Sequence, residues 1–206
     1  MPEPSLTAPA ARPPRHRGYA KGAAKREAIL RGVMDLMDRE GYTRQSLRDI
    51  GEALGMEPAH ILYYFANRED LLQSVIELWD SDSIPSLRET GTRAAPPSLE
   101  LFVEAVSRNV GAPGMGHLFL AFAAEAVDPA HSAHAFFKQR VDRVQHDLAQ
   151  AIRAGQACGK LRADLDPNQS ARHLMALADG LQLQALLQAR GDVIADLRAA
   201  IDALAT

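Results

Sequence analysis

The sequence predicts an all-α protein, and three observations carry that prediction. Ala and Leu are abundant, β-branched residues are sparse, and aromatics make up only 5%, a mixture that favours helices over sheets. Apolar residues return at three- and four-residue intervals, as in Phe137, Val141, Val144, Leu148 and Ile152, the period of a helix with one buried face. Helix starts and stops also recur in order, with Ser46-x-x-Asp49 and Asp166-Pro167-x-Gln169 as starts and Gly41 and Gly55 as stops.

Residues 1–18, rich in Pro, Ala and Arg without periodicity, read as a disordered arm. A first helix is expected over 21–40, with Ile29, Val33, Leu36 and Met37 as its apolar stripe and Gly41 as its stop. Ser46 caps a second, short helix whose Leu47, Ile50 and Leu54 share a face, and Gly55 ends it. Pro58, in the first-turn position where a missing N–H costs nothing, opens a third helix over 58–64. In it Ile61 and Phe65 hold the helix to the bundle, with Leu62 assisting. Asn67 and Asp70 open a fourth helix with Leu71, Val75, Leu78 and Trp79 inward. Pro85, Gly91, Pro96 and Pro97 mark a connection, and helices follow at roughly 98–110, 115–128, 131–157, 167–189 and 192–205. No internal repeat is present. The expected division is an arm over 1–18, a small helical unit over 19–80 and a larger one over 81–206.

The net charge of −3 hides an asymmetry. Arg12, Arg15, Arg17, Lys21, Lys25 and Arg26 fall in a stretch without acids, while the chain beyond residue 26 is acidic on balance. A basic arm ahead of a mildly acidic body suggests a polyanionic partner. A single cysteine, Cys158, excludes an internal disulfide framework and fits a reducing cytoplasm, the expected location. No run is long and apolar enough to span a bilayer, so no membrane partner is expected, and no apolar segment follows the basic residues to make a secretory signal. His131-x-x-His134 has spacing compatible with a shared metal, but no close third ligand accompanies it, so neither metal nor cofactor is expected. Gly-rich phosphate loops, a G-x-S-x-G elbow and spaced carboxylate pairs are all missing, so nothing argues for an enzyme.

Two short helices joined by a tight Gly55 turn, with longer helices on each side, have the proportions of a helix-turn-helix. The second helix of such a pair lies in the major groove, where each base pair presents a distinct edge. With Ile61 and Phe65 facing inward, Glu57, Ala59, His60, Tyr63 and Tyr64 lie off the core stripe. Both tyrosine hydroxyls are then free to reach phosphates or base edges.

At these residues the stretch GYTRQSLRDIGEALGMEPAHILYYFANREDLL resembles the DNA-binding domain of the tetracycline-repressor (TetR) family. The resemblance covers about residues 22–80 and rests on Gly41-Tyr42-x-x-x-Ser46, Asp49-Ile50, Leu54-Gly55, Tyr63-x-Phe65 and Arg68-Glu69-x-Leu71-Leu72. It implies a dimeric, ligand-responsive transcription factor, usually a repressor. It also implies that Thr43, Ser46 and Arg48 contact the duplex backbone, that Ala59, His60, Tyr63 and Tyr64 face the groove, and that Arg68 approaches a phosphate. Glu57-Pro58-Ala59, Leu62 and Arg68 depart from the residues usual at these places. The later helices are similar to the family in their order and in the pattern Gly159-Lys160-Leu161, Asp166-Pro167 and Asp179-Gly180-Leu181.

In the larger unit Phe102, Val106, Phe119, Phe122, Phe136 and Phe137 come together with few polar groups, among them His117 and Glu125. That set either encloses a small effector or fills a core, and the resemblance favours a pocket formed by Phe102, Val106, His117, Phe119, Phe122, Glu125 and Phe137. The last two helices are apolar over broad faces, through Leu174, Leu177 and Leu181 on one and Val193, Leu197 and Ile201 on the other, as a twofold four-helix interface would need. The sequence thus leads to a cytoplasmic homodimer that binds a palindromic double-stranded DNA operator and is released by a small, largely apolar effector. The alternative is a helical ligand-binding or protein-interaction module that never touches DNA.

Overall fold

The computed structural model describes residues 16–82 and 96–206. Nine helices lie within them: α1 (His16–Glu40), α2 (Leu47–Leu54), α3 (Pro58–Leu62), α4 (Arg68–Asp82), α5 (Leu99–Gly111), α6 (Pro113–Glu125), α7 (His134–Ala157), α8 (Pro167–Leu186) and α9 (Val193–Asp202). The described residues contain no strand, only an isolated bridge between Leu161 and Ala205. The protein is all-α. Residues 1–15 of the expected arm, with Arg12 and Arg15, and residues 83–95 of the expected connection lie outside the described residues.

The helix starts follow local chemistry. At α2 the Ser46 hydroxyl accepts from the Asp49 N–H (3.2 Å), and the Asp49 carboxylate accepts from the Ser46 N–H (2.8 Å), so the capping box closes in both directions. Asp166 caps α8 through the N–H groups of Asn168 and Gln169, and Asp192 caps α9 through those of Ile194 and Ala195. Ser98 caps α5 through the Leu101 N–H. At α4 the Asn67 side chain accepts from the Asp70 N–H, while Asp70 reaches back to the Ala66 N–H. Gly41 (φ 73°) and Gly55 (φ 63°) stop α1 and α2 in left-handed backbone. Several boundaries differ from expectation: α6 ends at Glu125 rather than 128, α7 begins at His134 rather than 131, and α8 and α9 end at Leu186 and Asp202 rather than 189 and 205. α1 begins at His16, so residues 16–18 are helical rather than part of the arm, and α3 ends at Leu62, after which Tyr63–Phe65 turn without completing the helix.

Two hydrophobic cores form. The first gathers Ile29, Val33, Leu36, Met37, Ile50, Ile61, Phe65, Leu71 and Val75 from α1–α4, together with Met115, Leu118 and Phe122 of α6 and Phe137 of α7. The second joins α5, α7, α8 and α9 through Val106, Leu148, Ile152, Leu174 and Leu197. α6 therefore packs directly on the first four helices. Its entry is so close to the end of α1 that a Cβ at Gly114 would overlap the Met37 carbonyl. α3, with five residues, is too short to persist by its own hydrogen bonds. Ile61 and Phe65, both buried, hold it in place, whereas Leu62 is 46% exposed and contributes nothing to that anchoring, contrary to expectation.

Candidate nucleic-acid interface and effector cavity

The turn between α2 and α3 is tight. The Met56 N–H donates to the Gly51 carbonyl (2.8 Å), and a Cβ at Gly51 would collide with Met56 backbone. Together with the Ile61 and Phe65 anchors, this fixes how α3 stands out from the bundle. Ala59, His60 and Tyr63 are exposed on it, Tyr63 to 80%. Thr43, Ser46 and Arg48 are exposed around the start of α2, where the Ser46 side chain is already engaged as the cap. Its hydroxyl and backbone N–H hold the Asp49 carboxyl below its ordinary range.

The adjacent tyrosines divide. Tyr63 projects outward. Tyr64 is half-buried, packs on the first core and meets Tyr63 edge-on with ring centroids 4.9 Å apart. Its hydroxyl makes no hydrogen bond among the described residues. Arg68 turns inward: Nε donates to the Gln45 carbonyl (2.7 Å), Nη2 to the Tyr42 hydroxyl (3.0 Å), and Nη1 lies 3.5 Å from Glu69. With all three nitrogens engaged, Arg68 is a positioning residue for the loop over 41–46. Gln45 ties the same loop through the Gly41 carbonyl and the Thr43 N–H. Sequence reasoning passed over Arg44, a largely exposed base in left-handed backbone within this loop (φ 59°). A basic residue two places before a cap was the available signal.

Farther from α3, a cavity of about 400 Å³ opens between α4, α5, α7 and α8, with Phe119 of α6 in its wall. Phe102 and Val106 line it as expected, beside Leu101, Val144, Leu148 and Met175. The other four expected pocket residues lie elsewhere. Phe122 and Phe137 are buried in the first core, 5.6 Å apart edge-on. His117 is exposed and edge-on to Tyr42, and Glu125 pairs with Arg44. The physical reason is that one side of α6 packs on α1–α4, so only Phe119 is left facing the cavity.

The wall is more polar than its apolar residues suggested. Arg140 binds Asp80 through both carboxylate oxygens (2.7 and 2.9 Å) and lies over the Phe119 ring at 4.4 Å. Arg143 adds a 3.3 Å contact to Asp80. Trp79 Nε1 donates to Asn109 Oδ1, Asn109 Nδ2 donates to Gln182 Oε1, and Gln182 Nε2 donates to the Ala178 carbonyl. These links tie the end of α4 to α5, α7 and α8. Asp179 also faces the cavity. No hydrogen bond or ion pair reaches it among the described residues, and burial pushes its carboxyl up, with the Arg140 charge opposing. Gln182 and Asn109, polar positions in apolar helices, were the signal for this wall.

Of the residues expected at the interface between protomers, Leu174 and Leu197 are buried within the protomer's own second core and are not available to a partner. Leu177, Leu181, Val193 and Ile201 are half-buried against that core. The large apolar side chains exposed on α8 and just beyond its end are Leu183 and Leu187 (49% and 72%). His131 Nδ1 accepts from the Ala133 N–H and His134 Nδ1 contacts the Ala126 carbonyl, so both are engaged locally. No group of three or more candidate metal ligands forms among the described residues. No helix among them is long and apolar enough to cross a membrane.

Comparison with known proteins places this geometry. The transcriptional regulator AcuR of Cereibacter sphaeroides is 25% identical over 183 residues, spanning 86% of this chain and 84% of that protein. Among solved structures, a TetR transcription regulator from Haloarcula marismortui superposes with a TM-score of 0.70 at 18% identity, covering 89% of this chain and all of that one. A protein of Saccharomonospora viridis described as a transcriptional regulator, solved in complex with choline, is 26% identical with a TM-score of 0.63, covering 88% of this chain and 95% of that one. Residues 29–75 match bacterial regulatory proteins of the tetR family, and residues 98–206, more than half of the chain, match the C-terminal part of BetI-type transcriptional repressors. These two matches, with a short α3 held in the α1–α4 bundle ahead of the larger helical part, make the chain a member of the tetR family of transcriptional regulators.

Proposed function

We propose that the protein represses transcription as a homodimer that binds a palindromic operator and leaves it when a small effector fills the cavity between α4, α5, α7 and α8. The observation that carries the reading is α3, held by Ile61 and Phe65 with His60 and Tyr63 exposed, as are Thr43 and Arg48 around the start of α2. His60 reads base edges, while Tyr63 and the free Tyr64 hydroxyl bind phosphate. Two copies would meet through α8 and α9, with Leu183 and Leu187 at the contact, which sets two α3 helices at a half-site spacing.

The effector is largely apolar, as Phe102, Phe119 and Met175 require, and carries a positive or hydrogen-donating group toward Asp179. The choline bound by the Saccharomonospora viridis protein carries such a positive group and a hydroxyl donor. Filling the cavity would displace the end of α4, which Asp80 and Trp79 tie to the cavity wall, and alter the spacing of the two α3 helices.

Fluorescence anisotropy on a duplex of mixed sequence, at rising salt, tests the reading. Binding whose log affinity falls linearly with log salt is expected. No binding at low salt would leave only a helical ligand-binding module. In the same preparation choline should raise the melting temperature of the wild type and not of Asp179→Asn, and an equal rise in both would remove Asp179 from the site.

A further inference from the structure

Arg44 stands one residue after Thr43 and two before the Ser46 cap, inside the loop that Arg68 and Gln45 hold in shape. Its side chain is 73% exposed, and its Nη2 lies 3.3 Å from Oε1 of Glu125, the last residue of α6. The carboxylate side is the less exposed, at 29%. Glu125 is therefore a fixed post and Arg44 a movable arm. The post is rigid relative to the loop because α6 also abuts the Met37 carbonyl at Gly114 and meets the Tyr42 ring through His117, at 5.5 Å. The same helix presents Phe119 to the effector cavity.

We propose that Arg44 is a further phosphate-binding residue of the DNA interface, and that Glu125 holds it off the duplex until the Arg44–Glu125 ion pair opens. The inference rests on the DNA-binding function proposed above. An exposed ion pair is weak and screened by salt, whereas a guanidinium placed on a phosphate gains a charge-assisted bond and releases condensed counterions. The exchange is therefore close to balance in the wild type. Glu125 also brings a negative charge near the duplex once its partner leaves. Neutralising Glu125 removes both obstacles and tips the exchange toward DNA.

The test compares the wild type with Glu125→Gln, Arg44→Ala, Arg44→Lys and the Glu125→Gln/Arg44→Ala double variant on one mixed-sequence duplex over a range of salt. Thermal denaturation checks that each is folded. Glu125→Gln should bind about three- to tenfold more tightly at low salt, and Arg44→Ala should weaken binding and flatten the log–log salt slope by about 0.9, one phosphate's worth. Arg44→Lys should keep the slope, and the double variant should gain much less over Arg44→Ala than Glu125→Gln gains over the wild type. Equal tightening by Glu125→Gln with and without Arg44 would overturn the proposal, since bulk charge alone would then explain it. A wild-type slope in Arg44→Ala would overturn it as well. Failure of the wild type itself to bind any duplex would remove the DNA-binding reading and this inference with it, a result distinct from those two.

Discussion

Arg68 and Asp179 show what a residue's type conceals until its partners are known. Both are visible in the sequence as charges at family-like positions, but the sequence does not show the partners that Arg68 meets within the chain. Its three nitrogens bind Gln45, Tyr42 and Glu69, so the side chain builds the loop that carries Thr43 and Arg44. Removing the charged donor leaves a partly buried carbonyl and hydroxyl without a partner. Bonds to charged groups are worth about 1.5–3 kcal/mol, so Arg68→Met should lower the melting temperature by roughly 4–8 °C. A change within one degree in a calorimetric scan would mean that the loop holds its shape without Arg68. Asp179 makes a prediction of opposite sign. A carboxyl raised by burial binds its proton more tightly folded than unfolded, so native stability falls as pH rises from the ordinary carboxylate range through the raised value. Asp179→Asn should therefore melt above the wild type at neutral pH, with the gap closing as the pH approaches about 4. A gap independent of pH would contradict that account.

At the scale of elements, the helices were legible because their caps are local. Ser46 with Asp49, Asp166 with Pro167, and Gly55 act within a turn of themselves, and the structure has all three where the sequence set them. The partner of α6 was not legible. Its residues Phe119 and Phe122 are three apart, yet one lines the cavity and the other fills the first core, and no periodicity says which side meets which neighbour. That is why four of seven expected pocket residues lie elsewhere. Gly114 is the most sensitive position on that helix. Alanine would gain up to about 1 kcal/mol in helix propensity, but its methyl group would have to push α6 away from the Met37 carbonyl. Overpacking typically costs about 1–3 kcal/mol and more where backbone must move, so Gly114→Ala should be less stable than the wild type by about 1–2 kcal/mol in urea denaturation. Equal or greater stability would mean that α6 and α1 are not held so closely.

At the scale of the whole molecule, the proposed dimer puts the exposed leucines at the end of α8, Leu183 and Leu187, between two copies. Leu183→Glu with Leu187→Glu should give a monomer by sedimentation velocity without loss of helical content. Its affinity for a palindromic site should fall by about 100-fold or more, because two linked half-site contacts become independent. A double variant that remained dimeric would move the interface off that face. The apolar stripes of α8 and α9 were legible as stripes, but the sequence could not apportion Leu174 and Leu197 to the protomer's own core, since a stripe buried within a protomer and one buried between protomers have the same period.

Selection of retained duplexes from a fully randomised library by the purified protein, followed by sequencing, tests the central claim most directly. The account predicts a palindrome whose base preferences change with His60→Ala, while Tyr63→Phe and Tyr64→Phe weaken retention of all sequences alike. Retention without sequence preference would contradict it, because α3 would then not be reading the groove.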